Sequence, residues 1–65
     1  MDSIYEQVKA RLSEANGRVV IAAPGARTQI VLAPKDLPKI KPEGSGIRFG
    51  KTFAFACQIR FARVA

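Results

Sequence analysis

From Ile47 onward the chain alternates with a period of two. Odd positions carry Ile47, Phe49, Lys51, Phe53, Phe55, Cys57, Ile59 and Phe61. Even positions carry Arg48, Gly50, Thr52, Ala54, Ala56, Gln58, Arg60 and Ala62. Such alternation marks half-buried β-structure. The 18 residues from Ile47 to Val64 would span about 60 Å as one straight strand, at roughly 3.3 Å per residue. A 65-residue domain has a radius of gyration of only about 11 Å. The run must therefore break. Gly50-Lys51 is the natural place, as a two-residue turn with Gly first or as a bulge. The expectation is a short strand at 46–49 and a long one at 52–63. The odd side, with Phe53, Phe55, Ile59 and Phe61, is expected to face the core, and Cys57 to lie among them as inert packing.

The N-terminal half reads as a helix and a hairpin. Ser3-Ile4-Tyr5-Glu6 matches a capping box, and Ile4, Val8, Leu12 and Ala15 fall on one stripe at helical spacing. Asn16-Gly17 offers a left-handed stop, giving a helix over 3–15. Arg18 to Ala23 holds three β-branched residues in a row and reads as a strand. Pro24-Gly25 is a turn signal, and Thr28 to Ala33 is the returning strand. A loop over 24–27 sets Ile21 opposite Ile30 and Val19 opposite Leu32. Gly17-Arg18-Val19-Val20-Ile21 resembles the short strand of the swapped-hairpin transition regulators. Here Pro24-Gly25 turns into another strand where that family continues as a helix, so the family is not assigned.

Between the hairpin and the alternating run, Pro34, Pro38 and Pro42 intersperse Lys35, Lys39 and Lys41, and Gly44-Ser45-Gly46 closes the segment. Proline at that spacing favours extended, polyproline-like backbone. A basic surface loop over 34–46 is expected, pinned by Leu37 and Ile40. The fold class that follows is α+β in a single domain over 1–65. An N-terminal helix packs on a three- to four-stranded antiparallel sheet.

Several function classes fall away on composition. With no His and one Cys, neither a disulfide framework, a zinc site nor a His-dependent nucleophile can be assembled from one chain. The five carboxylates, Asp2, Glu6, Glu14, Asp36 and Glu43, show no spacing that predicts a shared acid–base site. Gly50-Lys51-Thr52 ends like a phosphate loop, but Ser45 stands where that motif needs Gly, and a strand-like run follows where it needs a helix. The expectation is a protein that is not an enzyme and carries no cofactor and no metal. The lone Cys and the absence of a signal-like or membrane-length apolar run point to the cytoplasm and away from membranes.

Charge is the strongest functional signal. The chain carries +6 in all. Residues 1–32 contribute four Lys/Arg against three Asp/Glu, and residues 33–65 contribute seven against two. Lys35, Lys39, Lys41, Arg48, Lys51 and Arg60 are the candidate contacts to a phosphate backbone, which such a surface attracts through counterion release. The expected ligand is DNA or structured RNA, bound without strong sequence readout. Base stacking is not expected, because the four Phe residues follow the core period and the even side offers no ring. The alternative is a homo-oligomeric interaction module that docks an acidic protein. Its motive is an even side made small and apolar by Val20, Val31, Ala54 and Ala56, suited to sheet-on-sheet self-association. Oligomerisation would also relieve the small core of a chain this short.

Overall fold

A computed structural model describes residues 2–22 and 27–62. The fold is α+β, with one helix and two three-stranded antiparallel sheets. Helix α1 covers Ile4–Leu12. The Ser3 hydroxyl accepts from the Glu6 N–H at 3.2 Å, which satisfies one free donor of the first turn and is the Ser3 half of the expected capping box. The helix ends earlier than its apolar stripe suggests. Leu12 is its last residue, Ser13 caps it in the right-handed region, and Ala15 is exposed. Gly17 is not left-handed. It is needed for close approach: a Cβ there would overlap the Arg11 carbonyl.

Strands β1 (Arg18–Ile21) and β2 (Ile30–Leu32) form the expected hairpin but are shorter than 18–23 and 28–33: Ala22, Thr28 and Gln29 are outside the strands, and Ala33 caps the 3-10 helix that follows. Val19 pairs with Leu32 and Ile21 with Ile30. The turn at 24–26 and the outer pair Ala23–Thr28 fall outside the described residues or depend on them. On the other side of β1 lies β6 (Ile59–Ala62), with Ile21 opposite Ile59 and Val19 opposite Phe61. The inner face of this first sheet presents Val19, Ile21, Leu32 and Ile59, all buried.

The proline-rich segment is not an extended loop. Pro34–Lys39 forms a 3-10 helix, and Ile40–Glu43 is strand β3. Proline suits the first turn of a helix, where its missing N–H has no partner to lose. Asp36 closes the turn locally. Its carboxylate accepts from the Ala33 N–H at 2.9 Å, and its own N–H donates to the Ala33 carbonyl at 2.9 Å. Pro42 is tolerated in β3 because that strand is a sheet edge. Leu37 and Ile40 do pin the segment, with Ile40 buried and Leu37 packed on the core.

Strand β4 (Gly46–Phe49) has the expected bounds, and Gly50-Lys51 turns the chain back into β5 (Thr52–Ala54). Gly50 has φ +62° and Lys51 does not share the positive φ, which is the pattern of a II′ turn. The second sheet has the order β3-β4-β5. The long strand over 52–63 does not form. β5 stops at Ala54, and a second 3-10 helix, Ala56–Gln58, carries the chain across to β6 in the first sheet. Gln58 holds this crossover as Asp36 holds the earlier one. Its Oε1 accepts from the Phe55 N–H at 2.8 Å, and its own N–H donates to the Phe55 carbonyl at 3.0 Å.

These two turns overturn the expected facing of the C-terminal run. A two-residue turn pairs Phe49 with Thr52, Arg48 with Phe53 and Ile47 with Ala54. Odd positions of β4 therefore share a side with even positions of β5. Ile47 is inside, so Ala54 is inside, fully buried, and Phe53 is on Arg48's outer side. Phe55 is 54% exposed and Cys57 is exposed. The second 3-10 helix then shifts the phase again, so that Ile59 and Phe61 return inward.

The core lies between α1 and the two sheets. Val8 and Leu12 come from the helix, Val19, Ile21, Leu32 and Ile59 from the first sheet, and Ile40, Ile47 and Ala54 from the second. The longest dimension is 29 Å, about half of what the unbroken run would need. Gly46 is built into this packing: a Cβ there would overlap the Ala54 carbonyl oxygen, which is backbone and cannot swing away. Gly46→Ala should therefore destabilise by about 3 kcal/mol or more, at the upper end of overpacking effects. Gly50→Ala, open on all sides, should cost only about 1 kcal/mol for its positive φ. Urea unfolding of the two variants checks the order, and equal destabilisation would contradict it.

Candidate functional site

Three strands bring a row of unlike side chains together on the outer face of the second sheet. Lys41 on β3 is opposite Arg48 on β4, and Arg48 is opposite Phe53 on β5. Two cations set directly across a strand pair repel. Glu43, two residues along β3 from Lys41, relieves this. The Arg48 Nε donates to both Glu43 carboxylate oxygens at 2.9 and 3.0 Å, and a terminal guanidinium nitrogen donates to Oε2 at 2.6 Å. The guanidinium carbon also stands 5.9 Å from the centre of the Phe53 ring. Arg48 is thus fixed between a carboxylate and an aromatic face.

Beside this row lies a groove of about 390 Å³ lined by Lys39, Lys41, Arg48, Phe49 and Gly50. Lys39 ends the first 3-10 helix, Lys41 follows on β3, and Arg48 comes from β4. Lys51, exposed in the turn, is adjacent in sequence to its Gly50 edge. Four of the six expected phosphate contacts are gathered at this end of the second sheet. The other two are elsewhere. Lys35 is exposed at the start of the first 3-10 helix and does not line the groove. Arg60 is on β6 in the first sheet, opposite Val20.

The small apolar side expected for self-association does not exist as one face. Ala54 is fully buried in the core, so it is not available to a second chain. Ala56 is exposed on the second 3-10 helix. Only Val20 and Val31 remain neighbours, paired across β1 and β2, with Val31 56% exposed. They share the outer face of the first sheet with Arg60.

The expectation of a ring-free cationic face is also overturned. Phe53 and Phe55 meet edge to face, with ring centres 4.8 Å apart and planes at 90°. Phe53 is half-buried beneath Arg48, and Phe55 stands out into solvent. Sequence reasoning missed both rings and the Glu43 partner. The signal was present in the two-residue turn, whose register places residue 53 on the side of residue 48 whichever side that is. Gly50-Lys51-Thr52 lies in a hairpin turn running into a strand, with no helix to receive a phosphate. Among the described residues there is no group of three His, Cys, Asp or Glu that could hold a metal, and no helix long and apolar enough to cross a membrane. Comparison with protein-family models, with curated proteins and with solved structures gives no match.

The Arg48 hydrogen bonds hold the Glu43 carboxyl below its ordinary value of 4.5, and Glu43 in turn raises the Arg48 guanidinium. A lowered carboxylate pKa means that the pair is intact above the ordinary value and is lost as pH falls through the lowered one. A carbon-detected NMR titration should place the Glu43 inflection below 4.5, and Arg48→Ala should move it upward. An inflection unmoved by Arg48→Ala would show that the ion pair does not form in solution.

Proposed function

We propose that this protein binds nucleic acid, gripping the phosphate backbone along the groove formed by Lys39, Lys41 and Arg48 and continued by Lys51. It acts as a binding protein and not as an enzyme. The observation that supports this reading is the convergence of cations from three elements on one groove. Surface lysines that serve only solubility have no need to converge. Lys39, Lys41 and Lys51 are exposed, and Arg48 is held in place by Glu43. Arg48 is the least free of the set, since its charge is partly answered within the protein. Lys39 and Lys41 therefore carry most of the attraction.

Binding of this kind is carried by released counterions. Its affinity falls with salt at about 0.9 log units per log unit of salt for each duplex phosphate neutralised, and about 0.7 for single strands. An acidic protein partner would also feel the groove. It would lack the regular phosphate spacing and would not give affinities that rise together across unrelated nucleic-acid sequences.

The test is fluorescence anisotropy with labelled oligonucleotides at several salt concentrations. The Lys39→Glu, Lys41→Glu double variant should weaken binding at least tenfold, alike for every sequence, and flatten the salt slope by about two. Arg60→Glu, on the other sheet and not lining the groove, should change affinity less than about threefold, because salt screens surface charges that make no direct contact with the ligand. Equal losses from the groove and from Arg60 would mean that net charge alone attracts the ligand. No loss from the double variant would overturn the groove.

A further inference from the structure

Resting on that reading, we infer that the ligand is single-stranded and that one of its bases stacks on Phe55. Among the described residues only Val31 and Phe55 are large apolar side chains left more than half exposed. Val31 stands on the first sheet, away from the groove cations. Phe55 stands on the groove's own sheet side, linked to it through Phe53 and Arg48. An exposed ring next to cations has the composition of a single-strand platform, where bases meet π-faces while the backbone follows positive charge.

The local structure holds Phe55 in this position. The II′ turn forces residue 53 outward with Arg48, and Phe55 follows immediately after β5. The Gln58 Oε1 accepts from the Phe55 N–H and the Gln58 N–H donates to the Phe55 carbonyl, so the backbone beneath the ring is closed into a turn. Phe53 and Phe55 meet edge to face, and Phe55 keeps more than half of its surface open to solvent. A base on Phe55 would have its flanking phosphates directed toward Arg48 and the groove lysines. A duplex keeps its bases stacked within the helix and gains nothing from the ring. That is the distinction the face can make.

The chain contains no Trp, so Phe55→Trp installs a single reporter at the ring itself. With excitation at the red edge of indole absorption, adding oligo(dT) or oligo(U) should quench its emission, and a duplex of equal length should not. Phe55→Ala should weaken oligo(dT) and oligo(U) binding by about tenfold and leave duplex binding within about twofold. Because Phe55 is outside the core, its circular dichroism and melting should match the parent, and Phe55→Leu, which keeps apolar bulk without a ring, should lose affinity as Phe55→Ala does. Single-strand binding that needs Lys39 and Lys41 but is indifferent to Phe55→Ala, with no Trp quenching, would overturn the stacking and leave the groove standing. A preference for duplex would overturn it as well. Failure of the parent to bind any of these ligands near physiological salt would remove the phosphate reading and the stacking with it.

Discussion

Gly50 reverses the chain in two residues, and the arrangement of the second sheet follows from that reversal. Its φ of +62° lies where a side chain is strained. A turn of this length fixes the pairing on both sides of it, so Phe49 meets Thr52 and Ile47 meets Ala54. With Ile47 required inside, the small Ala54 goes inside and the large Phe53 goes out. The space within agrees. Gly46 lies so close to the Ala54 carbonyl that it could not carry a side chain without moving a strand, and Ala54 itself is fully buried. The aromatic surface of the protein is thus a consequence of a turn, not of a shortage of apolar core residues.

Two short 3-10 helices do the remaining work of joining the sheets. Each is closed by the side chain at its third position, Asp36 on the Ala33 N–H and Gln58 on the Phe55 N–H. Each replaces what would have been continuous extended chain. The first turns the path from β2 toward β3, and the second carries it from β5 to β6 beside β1. A chain of 65 residues has little core to spare, and closing the first and last strands against one another lets both sheets share one. Val8 and Leu12 of α1 complete that shared interior.

The elements legible in the sequence were those decided locally. The Ser3 cap on the Glu6 N–H, the β1–β2 register and the bounds of β4 depend on a few neighbouring residues, and they are as the sequence suggests. The facing of residues 52–58 was not legible from alternation, because alternation reports a period and not a phase. Two phase shifts, at Gly50 and at Ala56–Gln58, separate Ile47 from Ile59. Proline spacing likewise failed over 34–43, since Pro34 at a helix start and Pro42 on an edge strand are both compatible with regular structure. For the site, charge alone identified Lys39, Lys41, Arg48 and Lys51 but also Lys35 and Arg60, and only the fold separates the two groups. Glu43 and Phe55 carried no signal in charge or composition. Their roles come from cross-strand geometry.

Arg48 joins the cationic groove to the aromatic pair, paired to Glu43 on one side and lying over Phe53 on the other. The two halves come from neighbouring strands and form one continuous surface. The measurement that addresses this most directly is a two-dimensional amide NMR titration with a short unstructured oligonucleotide. Shift changes should be confined to Lys39, Lys41, Arg48 to Lys51 and Phe53 to Phe55, with the outer face of the first sheet, Val20, Val31 and Arg60, unperturbed. Changes centred on Val20, Val31 and Arg60, with the groove and Phe55 silent, would contradict it.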